Sequence, residues 1–253
     1  RDAQESRGLG DVYKRQKVPY TKVFREGISS VDKTDIAFGK QLGYTLKLLA
    51  IGKNTSKGIE VRVHPTFIKN SHPLASVHDS FNAVFLKGDA MDDIMLYGRG
   101  AGALPTGSSV VSDVIYAATH SDIKYSTFKN TAAADKDTKF VSDFSSAYYL
   151  RLSAADKAGV LAKVSGILAR YGISIVELVQ KGTSGLEAGK EAEQVSPVAL
   201  EDEDSACGTE SEGEQVPLIL ITHVTTENAI RGAAAKIDAS GMAKVETIIR
   251  VES

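Results

Sequence analysis

A glycine-rich motif in the middle of the chain has the spacing of a phosphate-binding turn. Residues 98–103 read Gly-Arg-Gly-Ala-Gly-Ala, which matches G-x-G-x-x-A, and they lie between a predicted strand and a predicted helix. Glycines here let backbone N–H groups approach a ligand, and a helix N-terminus favours an anionic one. The alternative is a tight structural turn that needs positive φ. No strand ending in an acid follows about 20 residues later, so a complete Rossmann unit is not expected.

A second candidate site lies at the start of a helix in the last hundred residues. Asp156 precedes this helix, and Gly159 stands where it begins. The N–H groups of a first helical turn are free to bind a carboxylate, and Asp156 is suited to an ammonium group. Gly159 would let such a ligand lie against the backbone. The alternative is that Asp156 only caps the helix, which contributes about 1 kcal/mol.

Other polar residues carry weaker signals. We interpret Glu26, His64 and His72 as structural or surface groups. Cys207 is the single cysteine, so neither an internal disulfide nor a thiolate metal cluster is expected, which fits a reducing cytoplasm. No metal site is predicted.

Composition narrows the class of protein. The chain has 253 residues, 42% hydrophobic and 25% charged, as in a soluble globular protein of one or two domains. Its net charge of −2 argues against a nucleic-acid partner, and no apolar run approaches the roughly 18–20 residues of a membrane span. From Glu187 to Glu214 there are ten acids and one base, Lys190. This composition predicts a disordered acidic insert, bounded at 183–215, with an acidic partner-binding segment as the alternative.

Residues 17–120 show a mixed α/β pattern. A short helix is predicted to begin near Thr34 and Asp35, which can cap it, and to end at Gly43. Four apolar runs then predict strands joined largely by hairpins: Tyr44–Ile51, Ile59–Val63, Asn82–Leu86 and Ile94–Tyr97. A helix is predicted from Pro105 to Thr119, with Pro105 at its first position and Thr106 assisting the cap. One face of this helix is apolar: Val110, Val111, Val114, Ile115 and Ala118.

The last hundred residues predict a second domain. We interpret 1–16 as a non-native leader, 121–145 as a linker and 146–253 as a βαββαβ, ferredoxin-like domain. Its predicted elements follow in chain order: strand Tyr148–Leu152, helix Gly159–Tyr171, strands Ile173–Val179 and Leu218–Val224, helix Thr226–Ser240, and strand Ala243–Val251. The fold class is therefore α/β (α+β).

Several motifs in the first domain resemble the homoserine dehydrogenase family. In chain order they are Phe24-Arg25-Glu26-Gly27-Ile28, Gln41-Leu42-Gly43-Tyr44, Val61-Arg62-Val63-His64-Pro65, His72-Pro73-Leu74-Ala75, Phe81-Asn82-Ala83-Val84 and the run from Tyr97 to Thr106. The resemblance covers the end of the family's catalytic domain. It implies that Gly102 contacts the nicotinamide cofactor, NADP or NAD, while Gly98 and Gly100 shape the turn. One departure is Thr106-Gly107-Ser108-Ser109, where Thr-Ala-Ser-Ala is more usual.

The resemblance also implies what this chain does not carry. The family's nucleotide-binding domain, catalytic lysine and substrate-binding acids would lie before Lys17, so no catalytic residue is assigned here. The family interconverts L-aspartate 4-semialdehyde and L-homoserine in threonine, methionine and isoleucine biosynthesis. We therefore expect a cytoplasmic, homo-oligomeric enzyme of which this part alone is inactive.

The second domain resembles an ACT domain, a module that binds amino acids in allosteric enzymes. The motifs are the run from Arg151 to Leu161 and Tyr171-Gly172-Ile173-Ser174-Ile175. The resemblance implies an effector, threonine, bound near Asp156, Gly159, Val160 and Leu161. The alternative function is a non-catalytic amino-acid sensor built around this module.

Overall fold

The computed structural model describes residues 18–89, 92–120, 139–180 and 215–252. The predicted leader, most of the predicted linker and nearly all of the acidic insert lie outside these ranges. Contacts divide the described residues into two compact units. Unit one contains the residues up to Phe144 together with those from Ile249 onward, and unit two contains Ser145–Ile248.

Among its described residues, unit one contains five strands and two α-helices, together with the end of a later strand. The elements are β1 (Phe24–Arg25), α1 (Lys33–Gln41), β2 (Tyr44–Thr55), β3 (Gly58–Lys69), β4 (Phe81–Gly88), β5 (Asp92–Arg99) and α2 (Ala103–Thr119). β2 pairs with β3 and β4 with β5, both antiparallel, which confirms the two predicted hairpins. Each strand is longer than predicted, because cross-strand pairing continues into the polar residues beside the turns.

β3 is the central strand of unit one. One edge of β3 pairs along its full length with β2, from Gly58 to Lys69. The other edge is shared between two parallel partners: β1 pairs at Arg62 and Val63, and residues 250–252 pair at 66–68. The buried residues of β3 include both apolar and charged side chains, so both faces of the strand are covered.

The two helices of unit one begin at residues other than those predicted. The N-cap of α1 is Asp32, not Thr34, because Asp32 accepts from the backbone of Thr34 while Asp35 accepts from the N–H of Asp32 in a capping box. α2 begins at Ala103, with Gly102 as N-cap and no side-chain cap bond, so Pro105 lies in the first turn but not at its first position and Thr106 does not cap. The apolar face of α2 is exposed, with Val110, Val111, Val114 and Ile115 between 57% and 62% accessible.

Unit two has the predicted βαββαβ order. Its elements are β6 (Ser145–Ala155), α3 (Val160–Arg170), β7 (Ile175–Gln180), β8 (Gln215–Thr222), the short β9 (Thr225–Thr226), α4 (Glu227–Ala239) and β10 (Ala243–Glu252). The strand order β10-β6-β8-β7 is that of a ferredoxin-like sheet, which confirms the predicted fold class. One core cluster joins the sheet to both helices, with Leu150, Leu168, Ile230 and Ile237 fully buried.

The second domain was predicted to extend to residue 253. In the structure the contacts of the residues from Ile249 onward group with unit one, because Arg250, Val251 and Glu252 pair with β3. The last strand therefore begins in unit two and ends in unit one.

Candidate functional site

A cavity of about 290 Å³ opens in unit two at the end of β6. Its wall is formed by the last residues of β6, the loop 156–159 and the first residues of α3, with Gln180 of β7 and Leu218 of β8 opposite. All four residues predicted to contact an effector line this cavity: Asp156, Gly159, Val160 and Leu161. Gln180 and Leu218 were not predicted, because they come from strands with no local motif and reach the cavity only through sheet pairing.

The backbone at the mouth of this cavity is open to a ligand. Gly159 is the N-cap of α3 and has φ +88°, a left-handed conformation that favours glycine, with no atom within 4 Å of where a Cβ would stand. The first intrahelical bond runs from Lys163 N–H to the Gly159 carbonyl at 3.0 Å. The N–H groups of Leu161 and Ala162 belong to the first helical turn and have no partner within the helix.

Asp156 does not cap α3. The N-cap is Gly159, three residues later, and it makes no side-chain cap bond. Asp156 is exposed on the cavity wall, so the alternative that it serves only as a helix cap is wrong. Its carboxylate and the first-turn N–H groups of α3 offer a negative and a positive end within one cavity. A zwitterion is the ligand class that such an arrangement recognises.

The glycine-rich turn of unit one differs from the prediction at one position, Gly98. Gly98 lies inside β5 opposite Asn82 and therefore does not shape the turn. Gly100 does, since its N–H donates to Ser80 O at 3.0 Å and a Cβ there would stand 1.5 Å from Nδ2 of Asn82. Gly102 has φ +124° and ends the turn as the N-cap of α2. The turn thus needs glycine at 100 and 102 for different reasons, one steric and one conformational.

The polar residues Glu26, His64 and His72 have structural roles. His72 accepts a hydrogen bond from Leu74 N–H at 3.1 Å and begins a 3₁₀ turn, Pro73–Ser76. His64 is fully buried, its Nδ1 lies 3.0 Å from both Pro65 O and Thr66 Oγ1, and its ring stacks on that of Phe144. Burial, with a smaller contribution from two nearby arginines, lowers the pKa of His64 to about 4, so the ring is neutral near pH 7.

Sequence reasoning missed a group of charged residues near this histidine, in which two buried arginines face two half-buried glutamates. We call Arg62, Arg250, Glu26 and Glu252 the charge cluster. Nη2 of Arg62 donates to Oε1 of Glu252 at 2.5 Å, and Nζ of Lys53 donates to Oε2 of the same carboxylate at 2.7 Å. Both arginines are fully buried. The available signal was the alternation of polar residues at positions 60, 62, 64 and 66, which gives β3 one polar face.

The remaining contacts of the charge cluster are aromatic and electrostatic. Nη1 of Arg250 lies 2.9 Å from Oε1 of Glu26, close enough for an ion pair although not aligned as a hydrogen bond. The guanidinium of Arg62 lies 4.3 Å from the ring centre of Phe144, and that of Arg250 lies 4.8 Å from that of Phe24. Burial pushes the pKa of Glu252 upward, but Arg62 and Lys53 outweigh it and hold that pKa below its usual value.

The described ranges contain neither a candidate metal site nor a candidate membrane-spanning helix. Among these residues no group of three or more His, Cys, Asp or Glu side chains could hold a metal ion. None of the helices within them is both long and apolar enough to cross a bilayer.

Comparisons with models of known protein families indicate the class of protein to which this chain is similar. A family model described as homoserine dehydrogenase matches residues 9–115, and one described as ACT domain matches residues 148–194. The chain therefore combines dehydrogenase sequence with an ACT module.

Individual relatives agree over most of the chain. Homoserine dehydrogenases of Neisseria gonorrhoeae and Pseudomonas aeruginosa are 34% and 36% identical, each over 92% of this chain and 49% of their own length. A crystal structure of a homoserine dehydrogenase from Thiobacillus denitrificans matches 99% of this chain and 52% of its own, at 34% identity and a TM-score of 0.78. The chain belongs to the homoserine dehydrogenase family, and it spans about half the length of the curated relatives it matches.

Proposed function

We propose that this chain is the C-terminal part of a homoserine dehydrogenase. The complete enzyme would interconvert L-aspartate 4-semialdehyde and L-homoserine with NADP or NAD, on the route to threonine, methionine and isoleucine. The observation that carries this proposal is 34% identity to the Neisseria gonorrhoeae enzyme across 92% of the chain. A homo-oligomeric, cytoplasmic protein is part of the same proposal.

Gly102 is the residue of this chain that we propose to contact the cofactor. Its φ of +124° and its missing side chain leave the backbone accessible at the start of α2, a helix of 17 residues. A helix N-terminus suits the phosphates of a dinucleotide. The cofactor, when bound, supplies or accepts the hydride, while this part of the protein contributes position and backbone N–H groups.

The cavity of unit two is the proposed effector site. Asp156 would pair with the ammonium group of an amino acid, and the first-turn N–H groups of α3 would bind its carboxylate. Val160 and Leu161 would contact the side chain. Threonine is the effector we propose, because it is an end product of the route that the family serves.

Two measurements test these assignments separately. The 253-residue chain should show no NAD(P)H-dependent reduction of aspartate semialdehyde, whereas the parent enzyme should be active. Turnover by the chain alone would contradict the division of functions proposed here.

Calorimetry with a panel of amino acids tests the effector site. L-threonine should bind the chain and L-glutamate should not, and a threonine concentration of ~100 times Kd should stabilise unit two by about 2.7 kcal/mol. Asp156→Asn, which keeps the size of the side chain but removes its charge, should weaken binding. Lys157→Gln, at the next cavity-lining position, is the matched control. If no amino acid binds at millimolar concentration, the effector role is wrong.

A further inference from the structure

A second cavity, of about 360 Å³, opens in unit two at the C-terminal ends of α3 and α4. Its lining residues are Ile167, Arg170, Tyr171 and Lys236, which we call the cationic cavity. The effector cavity lies at the other end of α3, a helix of 11 residues, so about 15 Å of helix separates the two. The cationic cavity is therefore a separate place in the fold, with no part in the proposed effector site.

The apolar wall of the cationic cavity is held in place by packing. Tyr171 is the C-cap of α3, and its ring lies against the backbone of α4 at Gly232. A Cβ at position 232 would stand 2.7 Å from Cε1 of Tyr171, so only glycine lets the ring approach this closely. Tyr171 and Ile167 are both half-buried and pack against the core of unit two. These contacts give the cavity one aromatic and one aliphatic surface of fixed position.

The polar groups of the cationic cavity are donors without partners in the described part of the chain. Arg170 and Lys236 are exposed and form no ion pair there, and the hydroxyl of Tyr171 makes no hydrogen bond to those residues. Arg231, by contrast, pairs with Glu227 within α4 at 2.7 Å. The sequence of α3 contains no acid, and the residues three and four positions from Lys236 on α4 are glycine, alanine and serine. Two positive charges therefore meet at one cavity with no acid among its lining residues.

Compensation of the helix ends does not account for these cations. Basic side chains near a helix C-terminus can bind its last carbonyls. Here, however, the backbone already supplies donors: Leu168 O accepts from the N–H groups of Tyr171 and Ile173, both at 3.0 Å. At the end of α4, Ile237 O accepts from the N–H of Ser240, also at 3.0 Å. The donors of the two cations are thus left for a ligand.

We propose that the cationic cavity binds a small phosphate monoester. Such a group carries about −1.5 to −2 charges at pH 7 and has three acceptor oxygens, which matches two cations and a hydroxyl donor. The planar guanidinium of Arg170 suits two phosphate oxygens at once, and Lys236 supplies the second positive charge. The organic part of the ligand would contact Ile167 and the ring of Tyr171.

Calorimetry on the complete chain, with phenyl phosphate as the probe, tests the proposal. We expect binding with Kd below about 1 mM. Methyl phosphate has the same charged group but no ring and should bind about fivefold more weakly, because it lacks the aromatic contact. Phenol has the ring without the charge and should not bind at these concentrations. Raising NaCl from about 50 mM to about 500 mM should weaken binding, since the cations are exposed.

Substitutions of the lining residues locate the site. Arg170→Gln should weaken the binding of phenyl phosphate about tenfold, and Lys236→Gln about fivefold, because each removes a charged donor. Lys163→Gln is the matched control, since Lys163 is an exposed cation of the same helix outside the cavity, and it should leave binding unchanged. Gly232→Ala should displace the ring of Tyr171 and abolish the preference for phenyl over methyl phosphate.

Three results would overturn the proposal. Absence of phenyl phosphate binding at ~1 mM would remove the site. An equal loss in Lys163→Gln and Arg170→Gln would show attraction by the general positive charge of α3 and not a built cavity. A loss in Lys157→Gln, with none in Arg170→Gln, would place the phosphate in the effector cavity, which Lys157 lines.

Discussion

Unit two buries mainly apolar side chains, whereas the sheet of unit one buries two arginines and a histidine. In unit two the buried carboxylate of Glu227 is held by the hydroxyl of Tyr148 at 2.9 Å and by Arg231 at 2.7 Å, beside a core that joins four strands and two helices. In unit one, by contrast, the apolar face of α2 is exposed and charged side chains of β3 are buried. The two units therefore depend on different interactions, and acid or a lost charge should affect them differently.

The largest expected effect comes from removing one charge of the cluster. Glu252→Leu leaves the buried guanidinium of Arg62 without its carboxylate and should destabilise unit one by about 4 kcal/mol. The measurement is urea-dependent hydrogen exchange at residues 58–69. Glu246→Leu, on the exposed part of the same strand, should change stability by no more than about 0.5 kcal/mol. Equal effects of the two substitutions would show that the cluster is not the source of stability in unit one.

Truncating a side chain of the apolar core should destabilise unit two and not unit one. Leu168 is fully buried among the residues of the core, so Leu168→Ala should destabilise unit two by about 3 kcal/mol, seen as faster exchange at residues 160–170. Val176→Ala on β7, where the side chain is 56% exposed, is the control and should have a small effect. If β3 exchanged faster than α3 in Leu168→Ala, the assignment of Leu168 to the stability of unit two would fail.

Acid should weaken unit one before unit two. His64 has a pKa of about 4 in the folded chain and about 6.5 when unfolded, so protons bind the unfolded chain preferentially between these values and stability falls as pH decreases. Between pH 7 and pH 5 the loss should be about 2 kcal/mol. The lowered pKa of Glu252 adds a loss at still lower pH, as that carboxylate becomes protonated.

The variant His64→Leu isolates the contribution of the histidine. It removes the group that titrates, so the stability of unit one should become nearly independent of pH between 7 and 5. Exchange at residues 58–69, followed as a function of pH in both proteins, gives the comparison. An unchanged pH dependence in His64→Leu would assign the acid sensitivity to another group.

The smallest effect is expected on α2. Val114 is 62% exposed, so Val114→Ser should change the stability of this chain by no more than about 0.5 kcal/mol. The same substitution at Val164 of α3, which is 1% exposed, should cost about 3 kcal/mol. Thermal unfolding of the two variants gives the contrast directly. A large loss in Val114→Ser would mean that the face of α2 is covered in solution.

Local patterns were sufficient to predict the elements and part of the candidate site. Short apolar runs separated by turn residues predicted both hairpins of unit one, and the βαββαβ order predicted the sheet of unit two. Asp156 and Gly159 reach one cavity because they are close in sequence and lie on the same side of a helix start. Such features depend on neighbouring residues and therefore can be derived from spacing.

The burial of side chains by residues distant in sequence could not be derived from local spacing. His64 and Arg62 alternate with valines, which indicates a two-faced strand but not whether the polar face is buried. Their burial depends on Phe144 and on residues 250–252, which are distant in sequence. The apolar face of α2 shows a second limit of prediction from sequence. Its periodicity correctly predicts a helix with one apolar face, but among the described residues that face is exposed and not buried.

The parallel pairing of β3 with the end of β10 also bears on how the protein is made. Thr66 pairs with Arg250, so the strand emerges from the ribosome well before its second parallel partner. At typical synthesis rates of about 5–20 residues per second, the delay is about 10–40 s. During that interval the edge of β3 at residues 66–68 is open to strand pairing with other chains. Unit one can complete its sheet only after the whole of unit two has been synthesised.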